Sequence, residues 1–94
     1  MINKDYLMVN KSTNIVDNIS MWDGDVNTWT PPTEYLMLEQ EQVIALLWNP
    51  IIADNKIIDF ELAENLGAGQ IGFTWDGSVL TTNQSKPQIP EIVG

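Results

Sequence analysis

The chain contains no cysteine and no histidine. Without cysteine it can form no disulfide, and cysteine-based metal sites are excluded. Without histidine or cysteine it also lacks the commonest general base and the usual activated nucleophiles. Paired carboxylates could still hydrolyse glycosides, but such sites need a deep cleft, which 94 residues rarely build. We therefore expect a protein that is not an enzyme and that has no catalytic residues and no cofactor.

Positive charge is scarce as well. Arginine is absent, and four lysines stand against thirteen acidic residues, which gives a formal net charge of −9. Nucleic-acid binding needs clustered Lys and Arg to neutralise phosphates, and anionic membranes select the same residues. The lysines are scattered instead, at Lys4, Lys11, Lys56 and Lys86. We expect no nucleic-acid partner and no membrane partner.

Long apolar runs and targeting signals are missing too. No run approaches the ~18 residues of a membrane-spanning helix, and Met1–Asp5 does not resemble a signal peptide. Synthesis in the cytoplasm is therefore expected. A chain of 94 residues has room for one domain with a modest core. Small folds without disulfides often rely on neighbouring subunits, which predicts an oligomer or a multi-copy part of a symmetric assembly.

The spacing of turn residues predicts the fold class. Gly, Pro, Asn and Asp interrupt the chain every ten residues or so, which is typical of β-structure. We predict an all-β fold, a small antiparallel sandwich or meander of about six to eight short strands. The predicted strands cover residues 6–9, 15–22, 35–40, 43–48, 57–62, 71–75 and 78–82.

Some local assignments stay open. Residues 39–47 are predicted as strand, and a short helix is the alternative because Leu38, Gln42, Ala45 and Leu46 fall near one helical face. Residues 61–66 could form a helical turn that Gly67 ends. Asn49-Pro50 is predicted to close the fourth strand, and Asp76-Gly77 is predicted to form a two-residue hairpin turn.

A tryptophan turn occurs twice, as Trp22-Asp23-Gly24 and Trp75-Asp76-Gly77, with Trp48-Asn49-Pro50 as a looser third copy. Tryptophan at a strand end can bury its ring while its indole N–H finds a carbonyl, and Asp-Gly supplies the positive φ of a turn. These residues are interpreted as core and turn residues. The alternative is an aromatic platform that stacks on sugars or binds a peptide.

Two other motifs only partly match known sites. Asp23, Asp25, Asn27 and Glu34 fit positions 1, 3, 5 and 12 of a calcium loop, but Thr28 occupies the position that requires glycine. No metal site is therefore expected. Residues 67–70 contain two glycines but lack the lysine and the strand–loop–helix context of a phosphate loop. They are interpreted as the entry to the last hairpin.

The C-terminal segment differs from the rest of the chain. We predict a β-rich domain over residues 1–82 and an extended arm over residues 83–94, because prolines interrupt the arm and regular alternation is lost. The arm is predicted to dock on another subunit. Its interaction candidates are Pro87, Ile89, Pro90 and Ile92.

Several of these motifs together resemble those of small tailed-phage proteins. The pattern is Val16-Asp17-Asn18-Ile19, then Trp22-Asp23-Gly24, then Trp29-Thr30-Pro31-Pro32, followed by a hairpin motif, here Gly72-Phe73-Thr74-Trp75-Asp76-Gly77. The motifs match in their order and spacing, and together they cover about half of the chain. They look like proteins of marine tailed phages, including cyanophage-like ones, that are often associated with tail or tail-fibre genes. Some relatives carry the module at the front of a longer chain, whereas only a short arm follows it here.

The resemblance implies a structural role without catalysis. The expected function is that of a virion protein of a tailed phage, docked onto larger particle proteins in the tail, the baseplate or the fibre-attachment region. The runner-up is a capsid decoration protein on the outside of the head. A carbohydrate-binding module with exposed tryptophans is the alternative from another class of function.

Overall fold

The computed structural model describes residues 2–89 and confirms the all-β class. Runs of apolar and β-branched residues between the turn residues form seven strands. The described residues contain no α-helix, only one turn of 3₁₀ helix at Gln40–Gln42. The strands are β1 (Lys4–Asn10), β2 (Ile15–Trp22), β3 (Tyr35–Glu39), β4 (Ile44–Ala53), β5 (Lys56–Leu66), β6 (Thr74–Trp75) and β7 (Leu80–Thr81).

All seven strands belong to one sheet, in the order β3-β1-β2-β6-β7-β4-β5. Two long hairpins, β1–β2 and β4–β5, supply most of it, and the short β6–β7 hairpin joins them. Neighbouring strands are antiparallel except for β4 and β7, which run parallel over two residues. The expected antiparallel sandwich or meander is therefore a single, continuous, mixed sheet.

The core lies where the two halves of this sheet face each other. Leu7, Val9 and Val16 come from β1 and β2, and Ala45 and Leu80 come from β4 and β7. Their inward positions follow from the two-residue period of the strands. Tyr6 and Met8 are also buried, so β1 is covered on both faces.

Two open assignments are settled by strand pairing. The segment 39–47 contains the end of β3, the 3₁₀ turn and the beginning of β4, so it is neither one strand nor one helix. The helical turn at residues 61–66 is wrong, because β5 pairs with β4 as far as Leu66. Gly67, with φ +78°, ends that strand instead of a helix.

The predicted turn at Asn49-Pro50 is also wrong, since both residues lie inside β4. The hydrogen bond from Gly67 N–H to the Val43 carbonyl, 3.0 Å, sets the alternation of bonded and non-bonded pairs between β4 and β5. Counted from that pair, Pro50 and its partner Phe60 form a non-bonded pair. The Pro50 nitrogen, which has no hydrogen, therefore faces away from β5, where a proline is tolerated.

The hairpin turn lies farther along, at Asp54-Asn55. Both residues have positive φ, +52° and +61°, as a type I′ turn requires. The resulting β4–β5 hairpin is about 33 Å long at ~3.3 Å per residue. The core contains β4 residues only near the beginning of that strand and none from β5. The hairpin therefore extends beyond the core, and the Cα radius of gyration is 16.8 Å, against about 12 Å for a compact chain of this length.

Candidate interaction surfaces

The first tryptophan turn forms an aromatic cluster on the outer face of β1. The Trp22 indole N–H donates to the Asp25 carbonyl at 3.0 Å. The Trp22 ring lies 5.1 Å from Tyr6 and 5.8 Å from Trp29, edge to face with the latter. Burial, together with the nearby Glu39 carboxylate, raises the pKa of Tyr6. Trp22 is half-buried in this cluster and lies outside the core described above.

The Asp23 loop uses its carboxylates internally. The Asp23 carboxylate accepts hydrogen bonds from the Asp25 N–H at 2.9 Å and from the Thr28 hydroxyl at 2.8 Å. Those donors lower the pKa of Asp23. The Asp25 carboxylate accepts from the Asn27 N–H at 2.8 Å. Within residues 2–89 no three acidic side chains are grouped closely enough to hold a metal ion.

The second tryptophan turn uses the same chemistry. The Asp76 carboxylate accepts from the N–H groups of Ser78 and Val79, both at 2.8 Å, and Gly77 has φ +100°. These donors lower the pKa of Asp76. Trp75 pairs with Leu80, and the Asp76 N–H donates to the Val79 carbonyl at 3.2 Å, so the two-residue loop is Gly77-Ser78. The predicted two-residue turn is therefore present, but it lies one residue later than Asp76-Gly77.

The third tryptophan, Trp48, lies within β4 and contacts the beginning of the C-terminal arm. Its indole N–H donates to the Gln84 carbonyl at 2.8 Å. Just before this, the Thr82 N–H donates to the Leu46 carbonyl at 3.0 Å. Residues 82–84 thus follow β4 on the side opposite β5.

The arm also reaches β5 through Lys86, whose ammonium group lies 2.7 Å from the Asp59 carboxylate. That contact lowers the pKa of Asp59. About half of each side chain is exposed, so the pair stabilises the fold little. Pro87 and Ile89 are exposed, and Pro90 and Ile92 lie outside the described residues. The first part of the arm therefore packs on its own hairpin.

The β4–β5 hairpin carries an apolar face that sequence reasoning missed. Trp48 lies opposite Leu62, and Pro50 lies opposite Phe60. Side chains of directly opposed residues share one side of the sheet, and the core residue Ala45 belongs to the other side. We call these four residues the apolar face of the hairpin. The alternation in residues 57–62 predicts the strand but not that its apolar side remains outside the core.

Leu62 of the apolar face and three other apolar side chains on the same hairpin are exposed. Ile52 is 63 % exposed, Leu66 68 %, Ile58 44 % and Leu62 41 %. Outside the hairpin, Trp29 is the tryptophan with the largest exposure, 39 %, while its ring edge lies against Trp22. Apolar side chains exposed along one hairpin are typical of an interaction surface.

No helix in the described part of the chain has the length and apolar character needed to cross a membrane. Comparisons with family models, with curated proteins and with solved structures found no significant match for this chain.

Proposed function

We propose that this protein is a non-enzymatic structural subunit of a tailed-phage particle, in which it docks onto larger virion proteins. The tail, the baseplate or the fibre-attachment region is the proposed location. The resemblance of its Trp-Asp-Gly and Trp-x-Pro-Pro motifs to small phage proteins supports the phage setting. The shape of the chain supports the docking role.

The observation that carries the proposal is the β4–β5 hairpin, which extends beyond the core and exposes Ile52, Leu62 and Leu66 to solvent. The molecule measures 61 × 29 × 21 Å. A two-stranded hairpin is marginally stable in water by itself. Packing this hairpin against another protein would remove the exposed parts of Leu62 and Leu66 from water, at about 25 cal/mol per Å². An extended hairpin with exposed apolar side chains is the form expected of a subunit that is stabilised by contact with its neighbours.

The first test measures incorporation and copy number. Purified particles are analysed by quantitative mass spectrometry and by cryo-electron microscopy. A few dozen copies or fewer, located on the tail, would support the proposal. On the order of several hundred copies on the head would indicate a decoration protein, as capsid symmetry multiplies its sites. Absence of the protein from purified particles would contradict both locations.

Two truncations separate the arm's internal role from its external role. Deleting residues 87–94 keeps the Trp48–Gln84 and Asp59–Lys86 contacts, whereas deleting residues 84–94 removes both. We expect the isolated domain to stay folded in both variants, with β-type circular dichroism. If the last residues dock on another subunit, the shorter deletion already weakens incorporation. Equal incorporation of the wild type and both variants would contradict a docking role for the arm.

A further inference from the structure

The strand β5 is one of the two edges of the sheet, and it is the longer one. It has 11 residues, against five in β3 at the opposite edge. An edge strand presents unpaired backbone N–H and C=O groups, and a strand of another chain can pair with them. At β3 the edge residue Glu39 receives hydrogen bonds from Lys4 and Tyr6 of the adjacent strand. The edge of β5 is therefore longer than the edge of β3 and better suited to pairing with a strand of another chain.

The backbone groups that face this edge can be identified. Since Gly67 and Val43 form a bonded pair, Asn65, Ala63 and Glu61 use their backbone groups toward β4. The N–H and C=O groups of the alternate residues therefore face away from β4. These residues are Phe60, Leu62 and Glu64. An added strand could form backbone hydrogen bonds with each of these three alternate residues.

The side chains along this edge differ on its two sides. Phe60 and Leu62 belong to the apolar face of the hairpin. Asp59 and Glu61 point to the opposite side, and Glu64 adds a third carboxylate on the apolar side. Only Asp59 of these three has an ion-pair partner among the described residues, Lys86. An added strand would meet an apolar strip on one side and negative charge on the other.

We propose that the open edge of β5 accepts, by strand addition, an extended segment of a different protein in which apolar residues alternate with lysine or arginine. The apolar residues lie beside Phe60 and Leu62, and the basic residues lie beside Asp59 and Glu61. This inference rests on the proposed docking function and specifies the chemistry of the partner segment.

A second copy of this chain fits the edge poorly. Two β5 strands paired in parallel and in register would place Asp59, Glu61 and Glu64 of one copy beside the same carboxylates of the other, and like charges directly opposite each other destabilise a sheet. An antiparallel pair would still bring six carboxylates to one short seam with no arginine and only Lys56 of each β5 as a cation. The chain's own residues 87–94 contain no basic residue. A net charge of −9 also favours association with a basic partner. Charge thus selects a different, basic chain.

The test uses a synthetic peptide as long as the edge, with alternating valine and lysine. Two control peptides have glutamate in place of lysine, or the same residues in separate blocks. Binding to the full-length protein is measured by calorimetry at low ionic strength and at about 0.15 M salt. Backbone amide shifts are followed by NMR. We expect the alternating peptide to bind more tightly than both controls and to shift the amides of Phe60, Leu62 and Glu64.

Three variants define the site. Leu62→Pro removes an N–H that faces the edge without removing a hydrogen bond to β4, and Glu61→Lys reverses a charge beside it. Glu34→Lys is the matched control, since Glu34 is exposed and lies before β3, away from β5. We expect Leu62→Pro and Glu61→Lys each to weaken peptide binding about tenfold or more, and Glu34→Lys to change it less than about twofold. Circular dichroism checks that each variant folds.

Several outcomes would overturn the inference. Equal weakening by Glu61→Lys and Glu34→Lys would show general attraction to an acidic chain. A dimer that Leu62→Pro dissociates would make a second copy the occupant, and binding only after deletion of residues 87–94 would make the chain's own tail the occupant. Normal incorporation of Leu62→Pro into particles would remove this inference and leave the proposed function. If the wild-type protein binds the peptide but is absent from particles, the proposed function is contradicted and the strand-addition site remains.

Discussion

Gly69→Ala tests the packing between the two halves of the sheet. A Cβ atom at this buried position would lie 2.6 Å from Leu80 Cδ1 and 2.7 Å from Leu7 Cδ1. Ordinary contacts of this kind are 3.4–4 Å, and both leucines are fully buried. Overpacking of a well-filled core costs about 1–3 kcal/mol. We expect Gly69→Ala to lower the free energy of unfolding by an amount in that range.

A double-mutant cycle isolates this contact. Leu80→Ala alone should cost about 2–5 kcal/mol, because it leaves a cavity. In the Gly69→Ala/Leu80→Ala protein the new methyl group occupies part of that cavity, and one of the two close contacts is gone. The combined loss should therefore be smaller than the sum by about 0.5–3 kcal/mol. Urea unfolding, followed by tryptophan fluorescence, provides all four free energies.

Gly77→Ala is the matched control for the cycle. No atom lies within 4 Å of its added Cβ, and its cost comes from φ +100° alone. Its effect should add to that of Leu80→Ala. Additive free energies for Gly69→Ala and Leu80→Ala would refute the packing argument, and they would mean that β1 and β7 do not meet at Gly69.

Three further predictions concern the turns. Gly24→Val and Gly77→Val should each lower the unfolding free energy by about 1 kcal/mol or more, because β-branched residues resist positive φ, and unchanged melting temperatures would contradict this. The lowered pKa of Asp76 means that its hydrogen bonds stabilise the fold above the ordinary pKa of 3.8 and are lost as the pH falls through the folded value. Asp76→Ala should therefore flatten the acid side of a melting-temperature profile, and an unchanged profile would contradict that cause. Millimolar calcium should not change the melting temperature, and a rise of several degrees that Asp25→Ala abolishes would show a calcium site in the Asp23 loop.

Local chemistry explains which parts of the fold could be predicted from the sequence. The turn at Asp76-Gly77 depends on an aspartate whose carboxylate accepts a hydrogen bond from the Ser78 N–H, and on a glycine with positive φ. Both residue types can be recognised in the sequence. The all-β class follows in the same way from the regular spacing of turn residues. The bounds of β2, at Ile15–Trp22, were predicted correctly because turn residues flank both ends.

Features that depend on distant neighbours could not be predicted. Asn49-Pro50 is compatible with a turn and also with a strand that has no neighbour on one side. Among residues 2–89 no strand pairs with β4 beside Pro50, and this is what allows the proline within the strand. The Asp54-Asn55 turn was visible in principle, since two residues that tolerate positive φ stand between apolar runs. The contact from Trp48 to Gln84 joins residues 36 positions apart, and no local pattern indicates it.

The two edges of the sheet are arranged differently, and the difference bears on function. At β3, Glu39 receives hydrogen bonds from the neighbouring strand, so its charge is used within the fold. At β5, Glu61 and Glu64 are exposed beside an uncovered apolar strip. Exposed charges on an edge strand oppose pairing with identical chains. The same charges leave the edge open to a strand of opposite sign, which is the chemistry that we propose for the partner segment.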